Sequence, residues 1–147
     1  MTTKLSTGLR NDMLVTDGLR QLLAAGFVKI YAGTEPATAD AALGGATLLC
    51  TISISGGGTG INLDTTAAAG VVAKAPGEAW SGTNVASGTA SFFRHVTASD
   101  DGTLSTTQRR IQGSIGLAGS DLNLSSVTLT SGAPQNIDFY NIALPTV

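Results

Sequence analysis

The chain has one cysteine and one histidine in 147 residues, and each scarcity excludes chemistry. Cys50 cannot close an internal disulfide, and its place in the apolar run from Leu48 to Ile54 reads as a buried, inert thiol. With His95 as the single histidine, every catalytic triad, imidazole relay or His-ligated metal would have to run through it. Its neighbours Arg94 and Val96 are neither acid nor nucleophile, so a structural or surface role is expected. Charge is scarce as well: Asp, Glu, Lys and Arg make up 12% of the chain, against a usual share of roughly 25%. The net charge of −2 leaves no basic footprint for a phosphate backbone, and nucleic acid is not an expected partner.

Long hydrophobic runs are missing too. None approaches the roughly 18 residues a membrane span requires, and Met1 to Leu5 shows no basic stretch followed by an apolar core. No membrane association is expected, and the chain reads as soluble and made in a cytoplasm. The glycosylation pattern Asn123-Leu124-Ser125 then carries no weight. The acidic residues are scattered. Only Asp100-Asp101 are adjacent, and no alternating Asp/Asn calcium loop occurs, so neither a metal nor a cofactor is expected. Gly56-Gly57-Gly58-Thr59-Gly60 lacks the Lys-Ser/Thr ending of a phosphate loop and reads as a flexible turn. Aromatics are 5% of residues. Trp80, Phe92-Phe93 and Phe139-Tyr140 read first as core packing, and a sugar-binding groove built on Trp80 is the thinner alternative.

What the chain has instead is glycine, 19 residues in 147, nearly twice the usual share of about 7%. The implied surface of Ser, Thr, Ala and Gly is weakly hydrated and weakly self-repelling, which suits a protein that lives against partners or, equally, a plain neutral β-domain. The length fits one domain. Ser6 or Thr7 can cap a short helix carrying Leu9, Met13 and Leu14, although residues 1–16 could equally be an arm. Thr16 or Asp17 can cap a second helix with Leu19, Leu22 and Leu23 at helical spacing, closed by Gly26.

From there the pattern is β. Val28 and Ile30 alternate with Phe27, Lys29 and Tyr31; Leu48, Cys50, Ile52 and Ile54 alternate with Leu49, Thr51 and Ser53. Residues 33–46 read as a loop with one helical turn at most. Short strand candidates run from Ile61 to Asp64, Val71 to Lys74 and Ala79 to Ser81, and Gly88 to Thr97 reads as a central strand because both its faces are partly apolar. Ser99 to Gly102 is a turn. In Arg109 to Leu117, Ile111, Ile115 and Leu117 point inward and Arg110, Gln112 and Ser114 outward, with Gly113 and Gly116 marking a bulge or a close approach.

The two C-terminal segments, Asp121 to Thr130 and Gln135 to Leu144, read as a hairpin in which each strand changes its buried face midway. Leu122 and Leu124 give way to Val127 and Leu129; Ile137 and Phe139 give way to Tyr140, Ile142 and Leu144. A one-residue slip moves every later side chain to the other face, so the chain is expected to pass between two sheets near Ser125-Ser126 and Phe139-Tyr140. The expected fold is an all-β sandwich over residues 17–147, preceded by one or two short N-terminal helices.

Several phrases, taken in order, carry a resemblance: LSTGLR from Leu5, YAGTEPATADAAL from Tyr31, AGVVAKA from Ala69, EAWSG from Glu78, GTASFFR from Gly88, RIQGSIG from Arg110 and DLNLSS from Asp121. Along nearly its whole length the chain resembles the capsid cement, or decoration, proteins of tailed bacteriophages. The resemblance implies a jelly-roll sandwich on the exterior of a virion, assembled in the host cytoplasm. Such a protein ties neighbouring major capsid subunits together, often as a homodimer, with no catalytic residue and no small-molecule substrate. Candidate partner contacts are Arg10 in the N-terminal segment, Gly57 and Thr59 in the glycine turn, and Arg109 and Arg110, which are either a solvated strand entrance or a partner-facing anchor. A tail- or fibre-associated sandwich and a carbohydrate-binding module are the alternatives; a hydrolase through His95 is the remotest.

Overall fold

The computed structural model describes residues 3–145. It is an all-β sandwich with two short N-terminal helices, as the alternation pattern implies. In chain order the elements are β1 (Lys4–Leu5), α1 (Thr7–Val15), α2 (Leu19–Leu22), β2 (Phe27–Ala32), β3 (Thr47–Ile54), β4 (Leu63–Ala68), β5 (Val71–Lys74), β6 (Trp80–Thr83), β7 (Gly88–Thr89), β8 (Phe92–Val96), β9 (Arg110–Gly116), β10 (Leu122–Asn123), β11 (Thr128–Leu129), β12 (Pro134–Ile137) and β13 (Asn141–Ala143). The main sheet runs β1-β9-β8-β2-β3-β6-β12, with β10 added in parallel to β9. A three-stranded sheet, β13-β5-β4, and the pair β11-β7 complete the described strands. Neither helix is long enough to cross a membrane.

Cross-strand partners share a face, and this sorts the main sheet into two chemically different sides. On one side Val28 and Ile30 of β2 lie beside His95 and Phe93 of β8, and His95 lies beside Ile111 of β9. Val28, Ile30, Phe93 and Ile111 form one buried cluster with Leu63 and Ile142 of the small sheet and with Leu9, Leu19, Leu22 and Leu23 from the helices. On the other side Tyr31, Phe92, Arg94, Gln112 and Arg110 alternate with the core residues, and all five are buried as well. Every residue of β8 is therefore buried, the behaviour of the central strand that the sequence implied.

The helices form where capping and spacing allow. The Ser6 side chain accepts from Leu9 N (3.2 Å) at the start of α1. It also accepts from Arg110 N and donates to Gln108 O, tying the helix start to β9. Leu9 is fully buried, but Leu14 is 82% exposed, because a nine-residue helix lying on a sheet buries only one stripe. In α2 the cap position is Gly18, not Thr16 or Asp17; Asp17 bonds Gly18 N from outside the helix. The left-handed residue that ends this turn is Ala25 (φ 54°), and Gly26 pairs with Ile61 in a β-bridge. A glycine is required at 26 for space, since a Cβ there would lie 2.5 Å from Val96 O.

The C-terminal segments divide as their parity demanded, but they do not pair with each other. β10 joins β9 while β11 joins β7, and β12 joins β6 while β13 joins β5, so the chain changes sheet between Asn123 and Thr128 and again between Ile137 and Asn141. The hairpin expectation is overturned by these separate partners; the face changes stand. At the second crossing Tyr140 turns into the core and Phe139, expected inward, is left 85% exposed. Leu117, also expected inward, lies beyond the end of β9 and is exposed.

Candidate partner surface and the buried polar layer

The residues singled out as partner contacts fall into two surface regions and one interior position. Arg10 is exposed on α1, where its Nη2 donates to Thr7 Oγ1 (3.1 Å); among the described residues no carboxylate pairs with it. Arg109 sits at the foot of β9 and reaches Asp12 of α1 at 2.5 Å, with about a third of each side chain exposed. Such a pair contributes at most about 1 kcal/mol. Gly57 and Thr59 lie exposed on the turn after β3, which is closed by Gly57 N donating to Ile54 O and by a bridge between Ile54 and Thr59.

Arg110 belongs to neither region. It has no exposed surface, so neither the solvated strand entrance nor the partner anchor describes it. Its Nε and Nη2 bond both oxygens of Asp100, itself buried, and its Nη1 donates to the carbonyls of Ala39 (3.3 Å) and Asp40 (3.4 Å). Gln112 and Ser114, expected outward with it, are also held within the structure. Gln112 Nε2 donates to Pro36 O (2.7 Å) and Glu35 Oε1 (3.1 Å), and its Oε1 accepts from Arg94 Nε (2.9 Å). The Ser114 hydroxyl donates to Asp121 Oδ2 (2.8 Å).

These contacts share a purpose. Residues 33–46 cross the polar side of the main sheet, and little apolar side chain from this strap is buried apart from Ala39. Sheet side chains therefore hold it by its backbone: Arg94 Nη2 donates to Ala41 O (2.7 Å) and Lys4 Nζ to Pro36 O (3.4 Å), while Lys4 also pairs with the Glu35 carboxylate (2.8 Å). Asp40 ties the strap to α1 by accepting from the backbone N and hydroxyl of Thr7. Burial and the nearby Arg110 charge push the Arg94 pKa below its ordinary value. Burial also raises Tyr31, which stacks on Phe92 with 5.1 Å between ring centroids, to about 12.

His95 lies on the opposite, apolar side. It is fully buried; its Nδ1 is 3.1 Å from the Tyr140 hydroxyl, its ring packs edge-on to Trp80 and Tyr140, and its Nε2 has no hydrogen-bond partner among the described residues. Burial lowers its pKa to about 4 and raises that of Tyr140. An imidazole held neutral and sealed from solvent is positioned to pack, not to relay protons to a substrate. Cys50 is likewise buried, and its thiol is pushed up to about 11, far from a reactive thiolate. Trp80 is 2% exposed, and its indole N–H donates to Glu78 Oε2 (2.8 Å). Glu78 also accepts from the Asn62 backbone and amide; burial works against its ionisation, but these bonds and the Lys74 charge outweigh it and hold its pKa below the ordinary value. Trp80 thus cannot stack on an external sugar ring. Among the described residues no three His, Cys, Asp or Glu side chains gather as a metal site.

No family model, curated protein or solved structure matches this chain. Its surface must therefore be read from its own residues. The feature that sequence reasoning missed is Phe139. Adjacent residues in extended chain point to opposite sides, so of Phe139 and Tyr140 one had to face outward.

Proposed function

We propose that this chain is a non-enzymatic structural protein that binds the outer surface of a bacteriophage capsid, as a homodimer, and stabilises contacts between major capsid subunits. The observation that supports the reading is the division of chemistry between inside and outside. His95, Cys50, Arg94, Arg110 and Gln112 are committed to the interior, while Leu14, Val15, Leu104 and Leu117 stand exposed on a chain with few charges. Exposed apolar side chains on a surface with few charges are the kind of anchor such an attachment would use. A dimer gripping two shell subunits gains from effective concentration, because its second attachment is intramolecular, and modest contacts then suffice. Arg10, Arg109, Gly57 and Thr59 are the candidate contacts.

The test is cosedimentation of the purified chain with shells that lack it, followed by heating. Binding at a copy number comparable with that of the shell subunits, together with increased heat resistance of the shell, is the expected result. A few copies per particle would move the reading to a tail or fibre component, and absence of binding would overturn it.

A further inference from the structure

A second site, independent of the capsid reading, lies where the chain crosses from β12 to β13. Here the segment after β10 and the β12 strand enclose a groove of about 290 Å³, lined by Asn123, Ser125, Gln135, Asn136, Asp138 and Phe139. The lining is mostly polar yet carries one charge, Asp138, and it ends against an aromatic ring that is 85% exposed. Gln135 is only 8% exposed; its Nε2 donates to Asn136 O (2.9 Å), which leaves its Oε1 without a partner among the described residues.

Two occupants suit a groove beside an edge strand: an added peptide strand or a small polar molecule. The strand is disfavoured by β12 itself. Pro134 has no N–H to offer, and the carbonyl of Asn136 is already taken by the Gln135 side chain. What remains is a ring face beside two or three planar amides and a carboxylate. A hexopyranose offers the matching chemistry. One side of the sugar ring is a patch of C–H groups that can lie on an aromatic face, and its rim carries adjacent hydroxyls that amides and carboxylates bond in pairs.

We infer that the groove between Asn123 and Phe139 is a binding site for a neutral saccharide, with Phe139 as the stacking platform and Gln135, Asn136 and Asp138 as hydroxyl partners. The site differs from the sugar groove that the sequence alone would have placed at Trp80, which is interior.

Amide nitrogen–proton correlation spectra test this with methyl glucoside, methyl galactoside, methyl mannoside and N-acetylglucosamine as probes, each titrated to about 50 mM to reach weak affinities. The expected result is saturable shifts, for at least one probe, confined to residues 121–126 and 134–141. Phe139→Ala, which removes an exposed ring and leaves the core untouched, weakens binding by about tenfold or more; Asn136→Ala weakens it less, and Leu104→Ala, exposed elsewhere, leaves it unchanged. No shift with any probe, shifts elsewhere on the protein, or undiminished binding by Phe139→Ala would each overturn the inference. So would the finding that Phe139→Ala abolishes self-association instead, which would make the ring a contact with a second copy.

Discussion

Arg109 and Arg110 are adjacent and chemically identical, yet replacing them should have very different consequences. In Arg110→Met the aliphatic stem is kept and the guanidinium is lost, leaving the Asp100 carboxylate, 2% exposed, without its paired cation. Removing one member of a buried ion pair costs about 3–5 kcal/mol, most of it the penalty of the stranded charge. The Ala39 and Asp40 carbonyls lose their donor as well. At about 2–4 °C of melting temperature per kcal/mol for a chain of this size, the fall should be roughly 6–20 °C. Arg109→Met breaks a pair with Asp12 that is about one-third exposed and should cost less than about 1 kcal/mol. Urea and thermal unfolding followed by far-ultraviolet circular dichroism measure both. Adding Asp100→Asn to Arg110→Met removes the stranded charge while keeping an acceptor for Gly102 N, and should recover a large part of the loss. If Arg110→Met unfolds within about 0.5 kcal/mol of the parent, as surface substitutions do, or if the double variant recovers nothing, the buried pair is not what holds this side of the sheet.

The His95 core makes stability depend on acid in a defined direction. Its folded pKa, about 4, lies below the ordinary 6.5, so between those values the unfolded chain binds the extra proton; stability is fully present above 6.5 and falls as the pH drops toward 4, by about 3 kcal/mol in all. Urea midpoints across that window should show the slope, and His95→Leu should flatten it whatever the variant's absolute stability; an unchanged slope would refute the assignment. In the turn after β3, Gly60→Ala should destabilise by about 1–3 kcal/mol, because the new methyl would lie 2.2 Å from the Ala25 carbonyl oxygen. Gly57→Ala, whose methyl would meet only Ile54 O at 3.5 Å, should be nearly neutral. Equal unfolding midpoints for the two would show that the backbone does not approach at Gly60 as described.

The hydrophobic half of this fold was legible from period alone. Leu19, Leu22 and Leu23 at helical spacing, Val28 and Ile30 at strand spacing, and the parity breaks at Ser125-Ser126 and Phe139-Tyr140 all correspond to buried faces and sheet crossings. Strand partners were not legible, because pairing is long-range: the segments around β10 to β13 look like neighbours in a hairpin and instead seek β9, β7, β6 and β5. The polar side of the main sheet was misread for a different reason. Arg110, Gln112 and Ser114 alternate with apolar residues as any solvent-facing set would, and alternation cannot distinguish a side chain that meets water from one that meets a backbone carbonyl.

That second case explains why the strap and the sheet under it have the sequences they do. A segment of Gly, Ala, Pro and Thr with Ala39 as its main buried apolar contact cannot be held down by hydrophobic burial. Its carbonyls still need donors once water is excluded. Long side chains with several N–H groups are the economical solution, and the sheet supplies them to strap carbonyls at Lys4, Arg94, Arg110 and Gln112, with Asp100 and Glu35 to balance the charge. Much of an already small complement of charge is thereby turned inward or spent in internal pairs. The outer surface is correspondingly poor in charge, and any recognition on it would rest on shape, hydrogen bonding and isolated apolar side chains rather than on long-range electrostatic steering.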